Sequence, residues 1–268
     1  MPQITKITTQ KKRADRFNIF MDYGKGEEYA FSVDEDVLLK YQLKKGMELD
    51  ELDLSEIQFH DDIQKTVSMA LNYLSHRMRS ENEVRTYLEQ KEVEAPIIQE
   101  AIHKLYQYKY LDDLAFGEAF VRTHMNGGKK GPIILRRELK DKGLNDIQIE
   151  QALLQYPYDI QVEHAKILAE KMIVKEKNTS ANLLKQKIEQ SLYRKGFSSD
   201  AIANAMQDIV IEKPEGDEWH ALSIQAEKVS RRLNKYSDYE YRHKMKQALF
   251  RKGFQIDLIE RYLDRHEN

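Results

Sequence analysis

Eight histidines, His60, His76, His103, His124, His164, His220, His243 and His266, are the side chains best suited here to hold a metal or carry a proton near neutral pH. None stands in a His-x-x-x-His or His-Glu-x-x-His pair, the spacings that set two ligands on one helical face. The absence of cysteine removes disulfides, thiolate metal sites and cysteine nucleophiles. His60–Asp61–Asp62 gathers an imidazole and two carboxylates, but reads as a solvated linker between domains. Gly127–Gly128–Lys129–Lys130–Gly131–Pro132 has the composition of a phosphate loop without its GxxxxGK[ST] spacing. It also follows a helix where a phosphate loop follows a strand, so it reads as an interhelix turn with Pro132 opening the next helix. There is no GxSxG nucleophile elbow, and nothing singles out a catalytic pair among the 45 acidic residues. The expectation is a non-enzyme with no catalytic residue, metal or cofactor, working by binding.

The candidate binding residues are basic. Arg136 and Lys140 lie one helical turn apart, as do Arg242 and Lys246, and Lys187 and Arg194 lie two turns apart. Arg136, Arg137, Lys140, Lys142, Arg194, Lys195, Arg251 and Lys252 recur near equivalent helix ends and are the expected partner-binding set, a discontinuous stripe suited to a periodic acidic partner. The competing account is that such lysines only complement helix C-termini. A net charge of −2 argues against a general DNA-coating role, which needs a strong field over the whole surface. The charge is uneven, however: Arg231–Lys252 carries 8 basic and 2 acidic residues, residues 1–60 carry 9 and 12.

An internal repeat positions these residues. Aligning Leu88, Leu139, Leu192 and Leu249 puts Val84, Leu135, Ile188 and Met245 four residues earlier and Lys91, Lys142, Lys195 and Lys252 three residues later. Glu92, Gly143, Gly196 and Gly253 follow, then apolar Val93, Leu144, Phe197 and Phe254. Ile98, Ile149, Ile202 and Ile259 stand ten past the anchor, with Ile102, Leu153, Met206 and Leu263 four beyond. Apolar residues four apart share a helical face. Lysine followed by glycine is a helix C-terminus, since glycine takes the left-handed conformation cheaply and lysine meets the negative dipole end. Ser80 with Glu83 forms a capping box, and Asp112–Asp113 opens another helix. Each pair follows an amphipathic stretch: Ile63–His76, Leu111–Met125, Asp159–Lys175 and Asp217–Asn234.

The expected fold class is therefore mainly α, four tandem three-helix repeats at 62–108, 110–156, 158–211 and 216–266, in an elongated array behind a small N-terminal β-containing domain at 1–60. One compact helical bundle is the other reading of the same pattern. In the N-terminal part, Gln3–Thr9, Arg16–Tyr23 and Glu28–Val33 are strand-like, Tyr23–Gly24–Lys25–Gly26 supplies a turn, and Asp34–Tyr41 reads as a short helix. The N-terminus lacks the apolar core of a signal peptide, and no apolar run suffices to cross a bilayer. A soluble cytoplasmic monomer is expected.

Arg77-Met-Arg-Ser-Glu-Asn-Glu83, Tyr110-Leu-Asp-Asp113 with Phe116, Phe120 and Val121, Lys130-Gly-Pro132 and Lys142–Gly143 run in order over about 77–153. With the later Lys195-Gly-Phe197 and Lys252-Gly-Phe254 they resemble the RecX family of recombinase regulators, in its longer form of four units plus an N-terminal domain. The resemblance implies a modulator, usually an inhibitor, of the recombinase, ATPase and coprotease activities of RecA, binding along the RecA filament on single-stranded DNA. It thereby places the protein in DNA repair and the SOS response. Direct binding of DNA, and a helical-repeat adaptor for another protein or RNA, are the alternatives that the residues alone leave open.

Overall fold

β-branched and aromatic residues at the N-terminus form three strands, β1 (Gln3–Thr9), β2 (Arg16–Asp22) and β3 (Glu27–Asp34), in one antiparallel sheet of order β1-β2-β3. The β2–β3 turn falls at the expected glycines. Gly24 and Gly26 take φ of +92° and +109°, and both donate their N–H to the Asp22 carboxylate, at 2.7 and 3.0 Å. Helix α1 (Glu35–Lys40) opens on an Asp34 cap. The computed structural model describes residues 1–207, 209, 211 and 214–265. His266, where the fourth unit is expected to end, lies outside the described residues.

Helix α2 (Glu51–Leu74) starts at a reciprocal capping box between Asp50 and Asp53 and runs unbroken through His60–Asp61–Asp62. The linker expected there is therefore corrected. Asp61 is 2 % exposed and accepts hydrogen bonds from the Arg16 guanidinium at 2.8 and 3.2 Å and from the Asp34 N–H at 2.8 Å; Lys65 reaches it at 3.0 Å. Burial raises the pKa of neighbouring Asp34 above the usual carboxylate range. Ile57 on the same helix joins Ile4, Ile19, Met21, Val33, Val37, Leu43 and Leu49 in the core under the sheet. The first half of α2 thus belongs to the N-terminal core, while Ile63, Val67 and Ala70 on its second half pack with the first repeat.

Helices α3 (Glu81–Glu89) and α4 (Ala95–Gln107) complete that repeat. Then come α5 (Asp113–Gly127), α6 (Pro132–Asp141) and α7 (Asp146–Leu153), then α8 (Tyr158–Lys175), α9 (Ala181–Arg194) and α10 (Ser199–Gln207), and finally α11 (Glu215–Leu233), α12 (Asp238–Arg251) and α13 (Ile256–Arg265). The chain is mainly α, with three-helix repeats behind a small β-sheet, as its periodicity indicates. All four anchors, Leu88, Leu139, Leu192 and Leu249, are fully buried, as are Val84, Leu135 and Ile188 one turn before them. Gly143, Gly196 and Gly253 end their helices at φ of +91°, +85° and +81°. In the first repeat Glu92 adopts the same hand at +60°, so the turn survives without glycine, at a cost of about 1 kcal/mol. By packing, the chain divides into two compact units: Met1–Gly117 with Asp141–Gln148, and Glu118–Lys140 with the chain from Ile149 on.

Candidate functional site

The second helix of a repeat leaves four backbone N–H groups open at its start, and the preceding turn must satisfy them. In three places the lysine–glycine corner of the following repeat sits there. Within the second compact unit, the Lys195 carbonyl accepts the Gly131 N–H at 2.7 Å and the Gly196 carbonyl accepts the Ile133 N–H at 3.0 Å, so the C-terminus of α9 abuts the N-terminus of α6. The approach is close enough that a Cβ on Gly131 would lie 2.3 Å from the Gly196 backbone. The Gly127–Pro132 loop is therefore half of a joint between repeats. The next joint repeats the arrangement. Ser180, buried at the start of α9, donates to the Lys252 carbonyl at 2.5 Å, the Asn182 amide donates to the Gly253 carbonyl at 3.2 Å, and the Glu218 carboxylate accepts the Ala181 N–H at 3.2 Å.

The equivalent joint in the first compact unit brings Gly143 against Asn82, where a Cβ would meet the Asn82 Cβ at 2.6 Å. Ser80 and Glu83 form the expected capping box. Asp112 caps its own helix through the Ala115 N–H at 2.9 Å, but Asp113 turns away and accepts the Glu81 N–H at 2.8 Å. Burial pushes the pKa of Asp113 up. Glu83 moves the other way. Burial acts to raise its pKa, yet Arg77 at 3.0 Å and Lys142 at 2.9 Å, together with the Ser80 N–H, bring it down to about 2.

This architecture sorts the eight basic candidates. Lys142, Lys195 and Lys252 are half-buried at the three joints; Lys142 pairs with Glu83, and the Lys252 amine donates to the Gln225 amide oxygen at 3.0 Å. Arg136 is exposed but holds the Glu150 carboxylate through both terminal nitrogens, which lowers the pKa of Glu150. Lys140 is exposed on α6. Arg137, Arg194 and Arg251 face solvent with no carboxylate in ion-pair range among the described residues. Seven of the eight belong to the second compact unit; Lys142 belongs to the first. Because the Lys252–Gly253 corner meets the start of α9 and Arg194 ends it, the Arg251 and Arg194 clusters stand about 20 Å apart, the rise of this 14-residue helix.

Sequence reasoning passed over Tyr193 and Phe250, large side chains that stay 63 % and 57 % exposed one residue beyond the buried anchors. The repeat register could have found them, since the same position holds Glu89 and Lys140 in the first two repeats. Among the described residues no group of three or more histidine, aspartate or glutamate side chains is placed to hold a metal ion, and no helix is long and apolar enough to cross a membrane.

Family models match nearly the whole chain: Regulatory protein RecX N-terminal domain over residues 2–50, the RecX first three-helix domain over 68–105 and the second over 112–153. The RecX third three-helix domain matches twice, over 159–206 and 216–263. Regulatory protein RecX of Bacillus pumilus is 49 % identical and that of Bacillus subtilis 48 % identical, each over 267 residues and 100 % of both chains. A crystal structure of regulatory protein RecX, 36 % identical, superposes with a TM-score of 0.71 over 78 % of this chain and 100 % of that one. RecX from Lactobacillus salivarius, 38 % identical, gives 0.54 over 56 % of this chain and 97 % of its own.

Proposed function

The chain belongs to the RecX family of regulatory proteins, and on that premise we propose that it binds the RecA filament on single-stranded DNA and inhibits RecA recombinase, ATPase and coprotease activities. It acts in the cytoplasm, where the filament forms, as a monomer and by occupancy, without turnover of its own. The observation that supports this reading is the recurrence of Arg194 and Arg251 at one register of consecutive repeats, both solvent-facing and without a carboxylate partner among the described residues. Cations repeated at fixed spacing suit a partner that repeats, as a nucleoprotein filament does. Arg137 and Lys140 on α6 extend the charged surface. Arg136, Lys142, Lys195 and Lys252 complete the contact set in this proposal, with their joint or ion-pair roles restraining how far they reach.

Replacing Arg194 and Arg251 together by glutamine tests the surface without disturbing a joint, since both side chains are exposed. The double variant is expected to keep the far-UV circular dichroism of the parent and to bind RecA filaments several-fold more weakly in co-sedimentation. If the arginines meet phosphates, the slope of log affinity against log salt falls by roughly two. If they meet acidic side chains of RecA, filament binding weakens with a smaller change in slope. Unaltered filament binding and unaltered salt dependence would remove these residues from the interface.

A further inference from the structure

The three joints follow one rule. The start of a second helix receives the glycine corner of the following repeat: Asn82 against Gly143, Gly131 against Gly196 and Ser180 against Gly253. The first N–H of that helix takes a carboxylate from the following repeat's first helix. Asp113 serves Glu81 and Glu218 serves Ala181, while Pro132 has no N–H to serve. The approach is close at every corner. A Cβ on Gly143, Gly196 or Gly253 would stand 2.6, 2.5 or 2.7 Å from the facing repeat, well inside van der Waals contact, so a side chain there forces the repeats apart.

A linear series of repeats leaves half a joint unused at each end. In the last repeat, Ser237-Asp238-Tyr239-Glu240 opens α12 with the pattern of Ser80-Glu81-Asn82-Glu83. All four of its residues are exposed, Ser237 makes no side-chain cap, and no corner covers them among the described residues. Glu240 stands where Glu83 binds the corner lysine Lys142. In the first repeat, the Lys91–Glu92 corner after α3 is exposed too. Asp62 stands as far before Leu88 as Asp113 does before Leu139, and it is bound by Lys65 of its own helix at 2.9 Å. This end therefore keeps the acid, the lysine and the left-handed turn of a corner, with Glu92 in the place of glycine at φ +60°. We propose that Glu92 is a stop against self-association: its side chain keeps the α3 corner of one copy from seating on the start of α12 in a second copy. The contact it prevents is continuous with the joints already built within the chain. Every glycine corner is engaged, so the α3 corner is what a second copy has to offer, and in it Lys91 would face Glu240 as Lys142 faces Glu83. Such a joint is head-to-tail, and contacts of that type go on adding copies unless the rotation closes a ring.

The test is sedimentation equilibrium of the full-length protein over a range of concentrations, without RecA or DNA. The parent and Glu92→Ala are expected to stay monomeric, because alanine keeps the Cβ that the joint has no room for. Glu92→Gly is expected to retain the parental far-UV circular dichroism, since glycine takes a positive φ without strain. Its average mass is expected to climb with concentration past that of a dimer. Adding Glu240→Lys to Glu92→Gly sets a lysine against Lys91 and is expected to return the protein to the monomer. A Glu92→Gly protein that is monomeric at every concentration would overturn the proposal. So would a Glu92→Ala protein that assembles as the glycine variant does, which would lay the stop on charge instead of on the Cβ. Assembly of Glu92→Gly that survives Glu240→Lys would overturn it as well, by moving the contact away from α12. With RecA absent, none of these outcomes bears on filament binding, and a failure of the filament reading leaves them interpretable.

Discussion

Gly131→Ala is expected to destabilise the second compact unit by about 3 kcal/mol, although it adds a single methyl group in a loop. The added Cβ would lie 2.3 Å from the backbone carbon and oxygen of Gly196, and neither is the end of a flexible side chain that can swing away. The joint must open instead. Overpacking of this kind typically costs about 1–3 kcal/mol, and the two backbone hydrogen bonds across the joint, Gly131 to Lys195 and Ile133 to Gly196, add about 1 kcal/mol each if lost. Gly127→Ala is the internal control. Its Cβ would meet nothing within 4 Å, and it closes helix α5, so alanine there is expected to be neutral or slightly stabilising. Urea denaturation followed by circular dichroism separates the two. Equal midpoints for Gly131→Ala and the parent would mean that the repeats do not meet at this corner.

Asp61→Ala is expected to cost about 3–5 kcal/mol, the range for breaking a buried ion pair from one side. Arg16 is 5 % exposed and Asp61 2 %, so the truncation strands a guanidinium inside the protein. It also removes the acceptor of the Asp34 N–H at the end of β3. The damage should concentrate where the sheet meets α2, visible as faster amide hydrogen exchange in β2 and β3. Arg16→Met combined with Asp61→Leu removes both charges at similar volume and should recover much of the loss. An Asp61→Ala protein as stable as the parent, with unchanged exchange in the sheet, would show that the pair does not hold the N-terminal domain to α2.

These two sites mark where local reading of the sequence stops. The leucine register was legible because each repeat buries one face of each helix, and a buried face writes its period into the chain: Leu88, Leu139, Leu192 and Leu249 are sealed in the structure as the alignment requires. The strands and the Gly24–Gly26 turn were legible for the same local reason. Asp61 was misread because its partner, Arg16, stands 45 residues away, and two adjacent acids look solvated until a strand is laid over them. The second function of the lysine–glycine corners was hidden likewise. Capping favours glycine there in any case, so the joint is masked in the pattern, and close approaches such as that of Gly131 to Gly196 reveal it. The setting of the basic candidates was the least legible. Sequence shows a charge, while the joints and carboxylates that engage Lys142, Arg136 and Lys252 come from other helices.

The central claim, that the protein regulates RecA by occupying its filament, is tested most directly by RecA ATP hydrolysis on single-stranded DNA with increasing amounts of this protein. The account predicts that hydrolysis falls as the protein is added, that it falls less with the Arg194→Gln, Arg251→Gln variant, and that the protein alone hydrolyses no ATP. ATP hydrolysis that stays at the RecA-only rate when the two proteins are equimolar would contradict it.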